Sequence, residues 1–338
     1  MMRLSDSVTI LPIWGDVIPG NTGIPKKELM PVNESLTMED IFHKYPGVWD
    51  KSCDELGDMS GNATLVWRQE VLDGYAEETM SDVPFLVPYI VPGSDKCVIA
   101  CPGGAYLSKS MQSEGEDIAA FLNAAGISCF VLWYRTYPYH APLMYLDCQR
   151  AVRYVRHHAK EYGIDPHKLA TVGFSAGGNL CGVSALCFGN GPVEFAGYTP
   201  DAVDGEDGMP DAVAMCYPAV SLEDDKALAC IAGEDVYRDK PRRLEFAAKY
   251  DMRTHVTPEM PPMFLCNCMD DDVLPPMRLA GLAGKCREQG VDCELHMFPK
   301  GGHGFGGCIE RPNPFMKPDY SAVVQWKELF VQWLGRVL

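Results

Sequence analysis

From Lys96 onward, short apolar runs alternate with longer stretches of helical character, and this alternation limits the fold more than any single motif. A buried strand is predicted over Lys96–Cys101. A helix is predicted over Ser113–Ala125, closed by Gly126, then a strand over Ile127–Tyr134 and a long helix over Pro142–Tyr162. Lys168–Val172 reads as the next strand. Further strands fit Ala212–Tyr217, Met263–Cys268 and Asp292–Phe298, with helices at Pro276–Gln289 and Tyr320–Leu334. Apolar strands separated by helices of this length imply the α/β class: a mostly parallel sheet with helices on both faces. Right-handed crossovers then gather ligand chemistry at the carboxyl ends of the strands.

The chain upstream reads differently. Residues 1–60 are rich in Pro, Gly and Asn, and Pro12, Pro19, Pro25, Pro31 and Pro46 break any long helix. They are expected to form an arm wrapping the body, with a short helix at Thr37–His43 and with Trp14, Tyr45 and Trp49 as anchors. Leu65–Leu72 and Phe85–Val91 read as early strands, antiparallel to the rest. Residues 61–338 are expected to form a single domain. Within it the alternation fails over 218–258, where Leu228–Gly233 and Pro241–Tyr250 look helical; this is a candidate lid over the sheet's active edge. Gly189–Pro210 reads as a loop.

Composition excludes several partners. Of 338 residues, 47% are hydrophobic and 22% charged, which suits a globular chain with a sizeable core. A net charge of -17 repels phosphate backbones, so no nucleic-acid partner is expected. No run of about 18 apolar residues occurs, so no membrane partner is expected either. The fourteen cysteines include no Cys-x-x-Cys pair and no Cys/His cluster with zinc spacing. Many sit in apolar runs (Cys97, Cys101, Cys129, Cys216, Cys266, Cys268) and read as buried free thiols, which favours a reducing compartment. Met1–Ser7 lacks the apolar segment of a signal peptide, and the expected location is the cytoplasm.

The chemistry centres on Gly173-Phe174-Ser175-Ala176-Gly177. A serine between a predicted strand and a small-residue helix, with glycines two positions away on each side, is the pattern of a nucleophile elbow. A serine hydroxyl needs a histidine to take its proton and an acid to hold that histidine. His303 follows the last predicted strand in the glycine-rich loop Gly301-Gly302-His303-Gly304. Asp270, Asp271 and Asp272 follow the preceding strand, and Asp271 is favoured as the acid. The order Ser175, Asp271, His303 is that of α/β-hydrolases. Attack on an ester carbonyl creates an oxyanion, which waiting amides must receive. Gly104 and Ala105, after the strand ending at Cys101, and Ala176, after the serine, are the candidates. Tyr106, Trp133 and Tyr217 are candidate walls of a substrate pocket.

These motifs together resemble a known family. Pro102-Gly103-Gly104-Ala105-Tyr106 resembles the Pro-Gly-Gly-Gly-Tyr form of the lipase and esterase oxyanion loop, found in bacterial acetylesterases similar to acetyl-xylan esterases. Val131–Arg135, Gly173–Leu180, Pro261–Pro275 and Glu294–Phe305 are similar to that family's strand, elbow, acid loop and histidine loop. Ala105 stands where the family has a third glycine. Asp271-Asp272 stands where it has Asp-Pro, which leaves Asp270 and Asp271 both open. The resemblance implies an α/β-hydrolase fold and a serine esterase for short acyl groups, with acetyl esters of carbohydrates the expected class. The substrate would be a small-molecule or oligosaccharide ester, with no metal or organic cofactor required. A peptidase or acyltransferase on the same residues, a catalytically silent carbohydrate- or partner-binding member, and homo-oligomerisation stay open.

Overall fold

The computed structural model describes residues 10–21, 83–106, 109–137, 139–223, 228–309 and 319–338. The helix expected at Thr37–His43, the anchors Tyr45 and Trp49 and the strand expected at Leu65–Leu72 lie outside them. The strands are β1 (Leu11–Pro12), β2 (Phe85–Tyr89), β3 (Cys97–Cys101), β4 (Ser128–Trp133), β5 (Leu169–Phe174), β6 (Ala212–Cys216), β7 (Met263–Cys268) and β8 (Cys293–Phe298). They form one sheet in the order β1-β2-β4-β3-β5-β6-β7-β8. β1 and β2 are antiparallel; from β4 to β8 every pair is parallel.

Every residue of β3, β4, β5, β6 and β7 is buried. A strand covered on both faces needs apolar residues throughout, which is why these segments are continuous rather than alternating in sequence. The covering helices are α1 (Asp117–Ala124), α2 (Leu143–His157), α3 (Ala159–Tyr162), α4 (Ala176–Val183), α5 (Leu228–Ala232), α6 (Glu234–Arg238), α7 (Lys240–Lys249), α8 (Pro276–Gln289) and α9 (Trp326–Val337). Two expected helices differ in detail. The one over 142–162 is interrupted at His158, and the one over 113–125 opens with a π-helical turn, Gln112–Glu116. α5, α6 and α7 occupy the excursion after β6, where Ile231 O accepts from Ala141 N at 2.8 Å. Among the described residues no helix is long and apolar enough to cross a membrane.

Register fixes where the loops emerge. Cys101 lies opposite Gly173, Phe174 opposite Cys216, Cys216 opposite Cys266, and Cys268 opposite Phe298. The segments that follow β3, β5, β6, β7 and β8 therefore leave one edge of the sheet side by side.

Residues 10–21 are fastened by a buried polar network. Arg135 and Asp147 form an ion pair of 2.7 Å with both side chains fully buried. Trp14 Nε1 donates to Asp147 Oδ1 at 2.8 Å, and its ring stacks 4.9 Å from the Arg150 guanidinium. Arg150 Nε in turn donates to Ile13 O at 2.7 Å, and Arg135 reaches the Pro19 carbonyl. Ile13 N donates to Pro84 O at 3.2 Å, extending the β1–β2 pairing, and Tyr139 Oη donates to Asn21 Oδ1 at 2.7 Å.

Candidate active site

Ser175 stands between β5 and α4 with φ of 52° and ψ of -119°. A non-glycine residue adopts that conformation only where its surroundings impose it. Here the imposing feature is close packing of the turn. A Cβ on Gly173 would lie 2.1 Å from Gly177 O, and one on Gly177 would lie 1.9 Å from Cys101 O. The flanking glycines are thus required by contact, and the strained turn lifts the serine hydroxyl off the sheet edge.

His303 Nε2 lies 2.9 Å from Ser175 Oγ. The other ring nitrogen, Nδ1, lies 3.0 and 3.2 Å from the two carboxylate oxygens of Asp271. A carboxylate only accepts, so Nδ1 carries the proton and Nε2 is left free to accept from the serine hydroxyl. Asp271 is itself held by the amides of Val273 and Leu274, which donate to Oδ1 at 3.0 and 2.9 Å. Its neighbour Asp270 faces elsewhere: Oδ1 accepts from Gly302 N at 2.9 Å. Asp272 is exposed. Of Asp270 and Asp271, both left open by sequence with Asp271 favoured, Asp271 is the one against His303.

The loop after β3 is pinned at several polar atoms. Tyr134 Oη donates to Pro102 O at 2.6 Å, Gly103 N donates to Glu114 Oε2 at 2.7 Å, and Ser110 N donates to Gly103 O at 2.9 Å. Tyr137 N donates to Tyr106 O at 2.8 Å. Between these ties Gly104, Ala105 and Tyr106 all have positive φ, at 136°, 54° and 59°. Among the described residues no protein acceptor takes the Gly104, Ala105 or Ala176 amide. Amides held in place without a partner can receive negative charge that develops nearby.

The pocket candidates are placed differently from expectation. Tyr106 is fully buried, its hydroxyl donating to Asn179 Oδ1 at 2.6 Å. Trp133 is buried and stacked on Phe85, with ring centroids 5.1 Å apart. Both are core residues, Trp133 in the fully buried strand β4 and Tyr106 at the buried end of the loop after β3. Tyr217 is also fully buried, but its ring meets His303 edge-on at 4.9 Å and Phe305 at 4.4 Å.

Two residues not singled out from the sequence complete the surroundings. Glu114, on the π-helical turn, accepts from Gly103 N and, at 2.8 Å, from the Tyr217 hydroxyl. Burial pushes its carboxyl up, against the pull of the Gly103 amide, the Tyr217 hydroxyl and His303. Asn179 on α4 gathers the hydroxyls of Tyr106 and Tyr145 on Oδ1 and donates to Ala219 O at 2.7 Å. Beneath the site, the sulfurs of Cys101, Cys148 and Cys181 lie within 4.8 Å of one another, brought from β3, α2 and α4. Such a set has donors a thiophilic ion could use, which sequence spacing cannot reveal. Burial pushes the Cys101 and Cys181 thiols up, which keeps them protonated and uncharged.

The same segments carry a family signature. The family model described as BD-FAE matches residues 87–285, more than half of the chain. The chain belongs to the BD-FAE family. This BD-FAE member is 33% identical to the acetyl ester-xyloside bifunctional hydrolase from Caldicellulosiruptor lactoaceticus. The two structures superpose with a TM-score of 0.65 over 75% of this chain and 88% of the other. The fold is that of an α/β hydrolase. The acetylxylan esterase of Xylanibacter ruminicola is 29% identical over 63% of this chain and 42% of its own length. Endo-1,4-beta-xylanase B of Butyrivibrio fibrisolvens is 29% identical over 71% of this chain and 37% of its own. The BD-FAE member thus spans about two fifths of the length of these two curated relatives.

Proposed function

We propose that the protein is a carboxylic ester hydrolase that works through an acyl-enzyme on Ser175. The observation that carries this reading is the hydrogen-bonded row from Ser175 Oγ through His303 to Asp271, built on a strained turn at the sheet edge. In this reading His303 removes the serine proton as Oγ attacks the ester carbonyl, and Asp271 steadies the imidazolium that forms. The amides of Gly104, Ala105 and Ala176 receive the oxyanion. Collapse of the tetrahedral intermediate expels the alcohol, which takes the proton from His303. Water then enters by the same route and releases the acid.

Short acyl groups, and acetyl esters of carbohydrates in particular, are the proposed substrate class. The likeness to an acetylxylan esterase and to an acetyl ester-xyloside hydrolase supports it. The excursion over 218–258 is proposed as the lid. It leaves β6 directly after Tyr217, which touches His303, and docks through Ile231 on the loop before α2. The thirteen described cysteines are all free thiols, which supports a cytoplasmic location.

The test is hydrolysis of a chromogenic acetate ester, followed by a panel of acetylated xylo-oligosaccharides and longer acyl chains. Ser175→Ala is expected to lower the rate by a factor on the order of 10⁶. A rate indifferent to that substitution would sink the assignment. Activity on long acyl chains that exceeds activity on acetates would sink the substrate class.

A further inference from the structure

We propose that Glu114 is a positioning residue, whose buried carboxylate ties the loop that would receive the oxyanion to the loop that carries His303. The inference rests on the serine-esterase reading above and goes beyond its three side chains.

The carboxylate faces two ways. Oε2 accepts from Gly103 N at 2.7 Å, one residue before the Gly104 and Ala105 amides. Oε1 accepts from Tyr217 Oη at 2.8 Å, and that oxygen accepts from Gly306 N at 2.9 Å, three residues beyond His303. One side chain therefore sets the peptide plane that leads into the oxyanion amides and, through Tyr217, the backbone that leads away from the histidine. Neither loop has slack. A Cβ on Gly103 would lie 2.5 Å from Phe174 O and 2.8 Å from Ser175 Cβ, so Gly103 is pressed onto the elbow itself. A Cβ on Gly306 would lie 2.6 Å from Ser113 O, and Gly307 N donates to that same carbonyl at 2.9 Å. The π-helical turn Gln112–Glu116 is the wall both loops lean on, and the Glu114 side chain is bonded directly to the first loop and, through Tyr217, to the second.

Transition-state stabilisation by amides depends on their aim more than on their presence. Loss of the carboxylate would leave the Gly103 amide and the Tyr217 hydroxyl without a buried acceptor, and both loops would re-seat. Glutamine preserves shape but offers one acceptor oxygen where the site uses two; with that oxygen on Gly103 N, its NH₂ faces the Tyr217 hydroxyl, which must turn its own proton away from the bond it makes here.

The experiment compares wild type, Glu114→Gln, Tyr217→Phe and the double variant, with Ser175→Ala as reference. Glu114→Gln is expected to lower kcat by about tenfold to a hundredfold, with KM within about threefold. It should weaken a trifluoromethyl ketone bearing the same acyl group by the same factor, because the tetrahedral adduct needs the aimed amides. Tyr217→Phe keeps the Gly103 bond and should lose less. The double variant should be no worse than Glu114→Gln alone, since the two act along one connection. Unchanged kcat, undiminished ketone affinity, or losses that simply multiply would each overturn the proposal. Should Glu114→Gln fail to fold, wild-type kinetics in Tyr217→Phe would overturn it alone. Hydrolysis that survives Ser175→Ala removes the esterase reading and this inference together. Serine-dependent hydrolysis with Glu114→Gln unaffected removes only the inference.

Discussion

Asp270 turns its carboxylate to the Gly301 and Gly302 amides, whereas Asp271 turns to His303 and to the amides of Val273 and Leu274. The two differ in what an amide substitution would do. In Asp271→Asn the side-chain oxygen keeps its bonds to the Val273 and Leu274 amides, and the NH₂ group is left facing His303 Nδ1. That forces the other tautomer, with Nε2 protonated toward Ser175 and unable to take its proton. A loss in kcat of about 10⁴ is expected. Asp270→Asn keeps an acceptor for Gly302, and kcat within about tenfold of wild type is expected. Equal losses in steady-state kinetics would contradict the proposed division. The pairing of Ser175 with His303 was legible because each sits in a local glycine pattern. Glu114 and Asn179 were not. Their partners lie 11 and 103 positions away for Glu114, and 73 and 34 for Asn179, and no short window of sequence contains such bonds. Tyr106 and Trp133 read equally well as wall or core, because burial is decided by elements far along the chain.

Strands β3 to β7 lie where hydrophobic continuity puts them, to within a residue or two, because a strand with two covered faces leaves little room for polar punctuation. The π-helical turn at Gln112–Glu116 has no such signature; a wider turn is imposed by what packs on it. That turn brings a titration test. Burial raises Glu114 above the ordinary carboxyl value of 4.5. Over the window from that value upward, the folded protein holds the proton more tightly than the unfolded chain. The group's contribution to stability is therefore full below the unfolded pKa and is lost as pH rises through the folded one. Glutamine does not titrate. The melting temperature of Glu114→Gln relative to wild type should rise with pH across that window, read by thermal unfolding at a series of pH values. A pH-independent difference would show that the carboxyl is not perturbed.

At the scale of the molecule, the buried pair Arg135–Asp147 joins the body to residues 10–21. Removing one partner of such a pair leaves an uncompensated buried charge, at about 3–5 kcal/mol. Asp147→Ala is expected to cost that much in denaturant unfolding and to release Trp14, seen as a red shift of tryptophan emission. Unchanged stability would mean that the pair only fills space. The sheet order was within reach of the sequence pattern, since right-handed crossovers leave few alternatives. The polar clamp was not, because its members are spread from Ile13 to Arg150.

That clamp has a topological consequence. It ties residues far apart in the sequence to one another: Ile13 is bonded to Pro84, Trp14 to Asp147 and Asn21 to Tyr139. The chain entropy spent on closing such a contact grows only with the logarithm of the separation, at about 0.6 kcal/mol for each doubling. A clamp made of distant partners therefore holds a segment nearly as firmly as one made of near neighbours.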